Sequence, residues 1–147
     1  MSQTLTNEQR IEVPRRFMAE VFNGHDPERA RDFFTPDAVW HGPSIATVTG
    51  VDSIVGLLGA FIGPLSDIRA EEQDVIANQD LVALRLVVTA KQTGDVLGIP
   101  ATGREFRWDA VDIYRITDDG KISEQWAFED LAAILSQVGA ITLPWAG

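Results

Sequence analysis

The second half of the chain contains four consecutive segments with strand-like sequences, and no helical pattern interrupts them. Turn-forming residues separate some of them, as in Asn78-Gln79-Asp80 and Asp118-Asp119-Gly120-Lys121. Strands joined by such short turns pair antiparallel. The four predicted strands are Ile68–Ala77, Leu81–Thr93, Arg104–Thr117 and Ile122–Phe128.

The first half of the chain has helical spacing instead. The capping box Thr6-Asn7-Glu8-Gln9 predicts a helix start, and Asn23-Gly24 predicts its end, with Pro14 either kinking this helix or delaying its start. The other predicted elements are a short helix from Asp26-Pro27 to before Thr35-Pro36, a strand over Ala38–His41, a helix over Asp52–Leu65 and a last helix over Glu129–Val138. Helices followed by antiparallel strands indicate an α+β fold, with one domain over residues 1–147. We expect the sheet to curl around the helices and to leave a cavity at its mouth.

Composition excludes several classes of function. The chain has no cysteine, and His25 and His41 lack metal-ligand spacing, so we expect no metal site. A net charge of −10 without clustered Lys or Arg disfavours nucleic-acid and anionic-membrane binding. The N-terminal residues show no signal-peptide pattern, which predicts a cytoplasmic protein. Nucleotide-binding and hydrolase motifs are also missing from the sequence.

Asp112 is the leading candidate for chemistry. It lies at the centre of a predicted strand face whose other residues are apolar or aromatic: Phe106, Trp108, Ala110, Tyr114 and Ile116. Burial would raise the pKa of this carboxyl toward neutrality, as a general acid or base requires. The alternative is a structural carboxylate that caps a turn or bonds to Tyr114 or an arginine.

The other candidates are more ambiguous. Gln125 could orient a substrate carbonyl or be an ordinary amide on the sheet surface. Trp40, Trp108 and Trp126 are expected in the core. His41 could act in catalysis or simply end a strand, and we expect His25 to be solvated.

The segment from Thr93 to Arg104 resembles the T-G-x-x-x-G-I-P-P-T-G-[RK] motif of the SnoaL-like polyketide cyclases. Segments that resemble the family's I-D-I-Y-R-I, D-G-K-I and E-H-W motifs follow: Val111–Ile116, Asp119–Ile122 and Glu124-Gln125-Trp126. Val21–Gly24 and Trp40–Pro43 fit the family's N-terminal half. The resemblance implies the NTF2-like, ketosteroid-isomerase-like cone and an enzyme without a cofactor. We expect Asp112 and Gln125 to be the catalytic residues, in a pocket for a hydrophobic polycyclic substrate. The family departs from this chain at both positions, because its E-H-W motif has a histidine in place of Gln125 and its anthracycline cyclases have a pocket histidine at the position of Asp112. The residues that would line this pocket are Trp40, His41, Phe61, Trp108 and Tyr114.

The chain departs from the family at its acid/base position. Family members that close aromatic rings by aldol chemistry have an aspartate directly after E-H-W, where this chain has Ala127. Some relatives on this scaffold look like tailoring hydroxylases of anthracycline-type polyketides, and we favour that activity over ring closure. Four alternatives stay open: a cyclase that uses Asp112 in place of the missing aspartate, a non-catalytic binding protein, an isomerase, and an epoxide hydrolase. For the last, Arg85 with Asp112 supplies only part of the Asp-Arg-Asp set that such an enzyme needs. A homodimer through the outer sheet face and a separate reductase are further expectations.

Overall fold

The computed structural model describes residues 4–145, which form three α-helices and one six-stranded sheet. Helix α1 (Asn7–Phe17) continues into a π-helical turn (Met18–Phe22), and a 3-10 helix (Pro27–Asp32) follows. The remaining elements are β1 (Phe34–Gly42), β2 (Ala46–Thr49), α2 (Val51–Ile62), β3 (Leu65–Asn78), β4 (Leu81–Gln92), β5 (Glu105–Ile116), β6 (Ile122–Glu129) and α3 (Leu131–Gln137). The predicted α+β class is confirmed.

The sheet is open, with strand order β2-β1-β6-β5-β4-β3. All neighbouring strands are antiparallel except β1 and β6, which are parallel. Register shifts in β3, between Ser66 and Arg69 and between Glu72 and Asp74, introduce bulges. Because bulges bend a strand, they help the sheet to curve around the helices.

The capping box at the start of α1 is confirmed. The Thr6 amide donates to Gln9 Oε1 at 2.9 Å, and the Gln9 amide donates to Thr6 Oγ1 at 3.1 Å. The helix passes through Pro14 without a break and brings Phe17 into the core. Phe17 is fully buried and meets the rings of Phe22, Phe33, Phe34 and Tyr114 edge-on, with centroids 5.4–6.1 Å apart.

One helix of the N-terminal half is shorter than predicted: the helix that starts at Asp26-Pro27 ends at Asp32, and Phe34, which is buried, begins β1. Strand β2 was not predicted. β1 tolerates Pro36 because its pairing with β6 is irregular between Phe34 and Val39. Proline has no amide hydrogen to donate, and no regular hydrogen bond to β6 is lost in this stretch. His25 is exposed, as predicted, and its Nε2 lies 3.1 Å from the Ile62 carbonyl oxygen and 2.7 Å from that of Leu65, next to the end of α2.

Candidate functional site

A largely apolar cavity of about 170 Å³ lies between α2 and the inner faces of β1, β5 and β6. Its wall includes three polar side chains, Asp112, Gln125 and Glu129. The other lining residues are Phe22, Trp40, Ile45, Leu57, Leu58, Ala60, Phe61, Leu97 and Ala127. The predicted site residues Asp112, Gln125, Trp40 and Phe61 therefore meet around one cavity.

Asp112 is buried on the inner face of β5, with 2% of its surface exposed. The side chains on this face alternate as the sequence predicts, and register places Asp112 opposite Ala127 on β6. Tyr114 Oη donates to Asp112 Oδ2 at 3.2 Å, while Oδ1 has no partner among the described residues. Burial raises the pKa of Asp112 well above its usual value, and the charge of Glu129 raises it further, whereas the Tyr114 hydrogen bond lowers it. Burial therefore favours the protonated form of Asp112.

Two further polar atoms of the cavity residues lack partners within residues 4–145. They are Gln125 Oε1 and Trp40 Nε1, and both are buried. Trp40 and Gln125 are direct neighbours in the β1–β6 register. A buried polar atom without a hydrogen bond is costly, so these atoms, with Asp112 Oδ1, mark positions where a polar ligand could be bound.

Glu129 is a second carboxyl of the cavity wall, and sequence reasoning missed it. We expected Glu129 to start the last helix, but it ends β6, and Asp130 caps α3 by accepting from the Ala133 amide at 3.1 Å. Trp108 Nε1 donates to Glu129 Oε2. Burial raises the pKa of Glu129 to about 7, against the lowering effect of that hydrogen bond. The available signal was parity, because Glu129 shares a strand face with Gln125 and Ala127.

His41 does not line the cavity, and that expectation is wrong. The side chain of Trp40 points into the cavity, so strand alternation turns His41 to the outer face. There His41 Nε2 lies 2.7 Å from Glu124 Oε2, and the imidazole stacks on Trp126 with centroids 5.3 Å apart. Trp126 is also outside the core, contrary to expectation, and it is half-buried under the Arg115 guanidinium.

Trp108 and Tyr114, which we expected to line the pocket, lie behind its wall. Both are buried, and they contact the two carboxyl groups from the interior side, Trp108 at Glu129 and Tyr114 at Asp112. Arg85 is paired with Asp74 at 2.6 Å, and this pair is exposed. The Arg85–Asp112 set of an epoxide hydrolase is therefore not assembled.

The motif from Thr93 to Arg104 forms the entrance loop of the cavity. Val96 and Ile99 exchange backbone hydrogen bonds of 3.0 and 2.8 Å around a two-residue turn, Leu97-Gly98, in which both residues have positive φ. This turn holds Leu97 at the cavity wall, where 43% of its surface is exposed. A left-handed conformation at a leucine costs about 1–2 kcal/mol, so the surrounding contacts must impose it.

Gln92 supplies those contacts from a fully buried position at the end of β4. Its Nε2 donates to the carbonyl oxygens of Ile99 and Pro100, both at 3.1 Å. Its Oε1 accepts from the Thr102 amide at 3.3 Å and from Thr102 Oγ1 at 2.7 Å. Every hydrogen-bonding group of the Gln92 amide is used, and the sequence did not reveal this role.

Within residues 4–145, no group of three or more His, Cys, Asp or Glu side chains is placed to hold a metal ion. The helices in the same range are all too short or too polar to cross a membrane.

A family model described as SnoaL-like polyketide cyclase matches residues 12–138. Among curated proteins, the chain is 26% identical over 140 residues to aklanonic acid methyl ester cyclase DnrD of Streptomyces peucetius, covering 92% of each protein. It is 30% identical over 115 residues to nogalonic acid methyl ester cyclase of Streptomyces nogalater, covering 78% of this chain and 80% of that one. Among solved structures, AclR of Streptomyces galilaeus, a candidate hydroxylase, superimposes with a TM-score of 0.81 at 26% identity. That match covers 93% of this chain and all of AclR.

Proposed function

The chain belongs to the SnoaL-like polyketide cyclase family, and from this premise we propose that it closes a ring of an aromatic polyketide by intramolecular aldol chemistry. One observation carries the proposal: the carboxyl of Asp112 is buried beside the cavity, directly opposite Ala127. Residues opposite each other in a sheet have Cβ atoms about 5 Å apart. Asp112 therefore supplies a carboxyl close to the position where the aldol cyclases have their aspartate.

The state of Asp112 suits the electrophilic half of the reaction. As the new carbon–carbon bond forms, the carbonyl oxygen under attack gains negative charge and needs a proton. Burial raises the pKa of Asp112 and so favours its acid form, which can give this proton. Gln125 and Trp40 offer an amide and an indole N–H that can orient the other substrate oxygens.

The cavity also bears on the size of the substrate. A cavity of about 150 Å³ holds a ligand of benzene size. The cavity here, at about 170 Å³, therefore takes little more than one ring of a polycyclic substrate. The rest of such a ligand would extend past Leu97 and Ile45 at the entrance, and these side chains would have to move aside.

Hydroxylation is the second candidate function, and the similarity to AclR favours it. We preferred hydroxylation from the sequence because Ala127 cannot transfer a proton. That reason is weaker once Asp112 is found opposite Ala127, and the curated relatives are named as cyclases. In the hydroxylase case the reduced quinone substrate would activate oxygen, and a separate reductase would be required.

The test is an assay of the purified protein with aklanonic acid methyl ester and with nogalonic acid methyl ester. Ring closure produces an isomer of unchanged mass, which chromatography separates and mass spectrometry identifies. Hydroxylation adds the mass of one oxygen atom and consumes oxygen when a reductant is supplied. Ligand binding without either product would indicate a binding protein and refute both enzymatic functions.

Asp112→Asn is the informative variant, because it preserves shape and removes the proton. We expect turnover to fall roughly 10²–10⁴-fold, with ligand affinity unchanged. Asp109→Asn is the matched control, since Asp109 is on the same strand but exposed, and it should keep wild-type turnover. Full activity in Asp112→Asn would refute the assignment of the acid.

A further inference from the structure

We propose that Glu129 is the base that removes the carbon-bound proton in this ring closure, while Asp112 acts as the acid. The inference rests on the proposed function, because an aldol closure needs a proton taken from one carbon and a proton given to one oxygen. A single protonated aspartate performs only the second step. The cavity wall contains one other carboxyl group within residues 4–145, that of Glu129.

The register of β5 and β6 places the two carboxyl groups on a diagonal. Asp112 is opposite Ala127, and Glu129 is opposite Ala110. Diagonal neighbours of this kind are about 7–8 Å apart, measured between backbones. A substrate carbon and a substrate carbonyl oxygen can therefore lie between the two groups, each facing one carboxyl.

Trp108 fixes the orientation of Glu129. Its Nε1 donates to Glu129 Oε2, and its ring stacks on Phe106 and meets the edge of Phe61. Trp108 holds Oε2 of Glu129, which leaves Oε1 to face the substrate. A base must be held in this way, with one oxygen anchored and one oxygen directed to the reacting atom.

Among residues 4–145, no cation lies in hydrogen-bonding contact with Glu129. Asp112 and Tyr114 face it from β5, and Arg85, Asp109 and Asp130 lie around its outer side. With a pKa of about 7, Glu129 is partly ionised at neutral pH, and its negative charge helps to raise the pKa of Asp112. An ionised Glu129 therefore favours the acid form of Asp112, which is the combination that the reaction needs.

In this reaction Glu129 takes one proton from the substrate and Asp112 gives one proton to it, so the protons balance. Glu129 takes the proton from the carbon α to one carbonyl, and the resulting enolate attacks the second carbonyl carbon to form the carbon–carbon bond. Asp112 protonates the oxygen of that second carbonyl, which becomes a hydroxyl group. Proton exchange with solvent then moves one proton from Glu129 to Asp112 and restores the starting state. No oxidant or reductant takes part.

The test is the pH profile of ring closure in Glu129→Gln, with Glu124→Gln as the matched control. Glu124 is on the same strand but faces outward to His41. We expect Glu129→Gln to lower kcat by about 10²–10⁴-fold and to abolish the decline in rate at acid pH, with little change in KM. The control should keep both the rate and the acid limb. A normal rate with a normal acid limb in Glu129→Gln overturns the inference.

Trp108→Phe gives a second test that does not remove the carboxyl group. The Trp108 hydrogen bond lowers the pKa of Glu129, so its loss should move the acid limb to higher pH. An unmoved acid limb in a folded Trp108→Phe protein also overturns the inference. These results are separable from failure of the proposed function: if the wild-type protein forms no isomer, ring closure itself is refuted. If Asp112→Asn loses activity and Glu129→Gln does not, only the role of Glu129 is refuted.

Discussion

The carboxyl group of Glu129 should destabilise the fold as pH rises, and Glu129→Gln should remove this effect. Burial raises the pKa of Glu129 from 4.5 to about 7, so the folded protein binds this proton more tightly than the unfolded chain does. The stabilisation is therefore complete at pH values below 4.5 and is lost as pH rises toward 7. The pH dependence of stability is therefore opposite to that of an ordinary salt-bridged carboxylate, which stabilises the fold more as pH rises.

The size of the effect follows from the shift. Each pKa unit corresponds to about 1.4 kcal/mol, so the full shift is worth on the order of 3 kcal/mol. At pH 5.5 the unfolded chain is already mostly ionised at this residue, so about 1.4 kcal/mol of the effect has been lost and about 2 kcal/mol is still present. Between pH 5.5 and pH 8.5 the wild-type protein should lose about 2 kcal/mol that the glutamine variant keeps.

Urea unfolding at these two pH values, followed by tryptophan fluorescence and circular dichroism, measures the difference. Glutamine can still accept the hydrogen bond from Trp108, so the cavity wall keeps its shape. We expect the free energy of unfolding of Glu129→Gln, relative to wild type, to rise by about 2 kcal/mol from pH 5.5 to pH 8.5. Glu105→Gln, at an exposed residue of β5, is the control for the loss of a surface carboxyl group. An equal difference between Glu129→Gln and wild type at both pH values would show that Glu129 titrates normally, and the argument from burial would then be wrong.

Three other predictions concern the site and its surroundings. Tyr114→Phe removes the hydrogen bond that lowers the pKa of Asp112, so the alkaline limb of the pH–rate profile should move to higher pH. An unchanged alkaline limb would show that Tyr114 does not influence the catalytic acid. Gln92→Ala removes the four hydrogen bonds of the entrance loop from a buried position and should lower the free energy of unfolding by about 2–4 kcal/mol, with faster proteolysis between residues 93 and 104. Resistance to protease in that variant would show that the loop keeps its conformation without the hydrogen bonds of Gln92. The homodimer stays a prediction, and it is based on Val111 and Phe128, which are 39% and 45% exposed on the outer sheet face. Light scattering should give twice the chain mass of 16.1 kDa, and a measured mass equal to that of one chain would refute the dimer.

The burial pattern of β5 could be predicted from the sequence because it is a local property. Every second residue from Phe106 to Ile116 is buried, as alternation requires, and Asp112 is therefore buried with its apolar neighbours. The capping box at Thr6 and Gln9 is equally local, since its two hydrogen bonds join residues three positions apart. Both patterns depend only on the local backbone geometry, which residues a few positions apart determine.

The errors occur where distant segments determine the outcome. His41 and Trp126 are adjacent across β1 and β6, and pairing with the parallel strand decided which face each side chain occupies. Glu129 looked like a helix start, because nothing in its local sequence shows that β6 continues opposite Ala110. Gln92 is an ordinary polar residue in the sequence, and its role depends on partners up to ten residues away that fold back over it.

Periodicity and turn chemistry act over a few residues, so the α+β class, the inner face of β5 and the burial of Asp112 could be predicted from the chain alone. The second carboxyl group in the cavity and the position of Asp112 opposite Ala127 depend on strand register, which brings together residues far apart in the chain. The shift of a carboxyl pKa depends on how completely those residues exclude water.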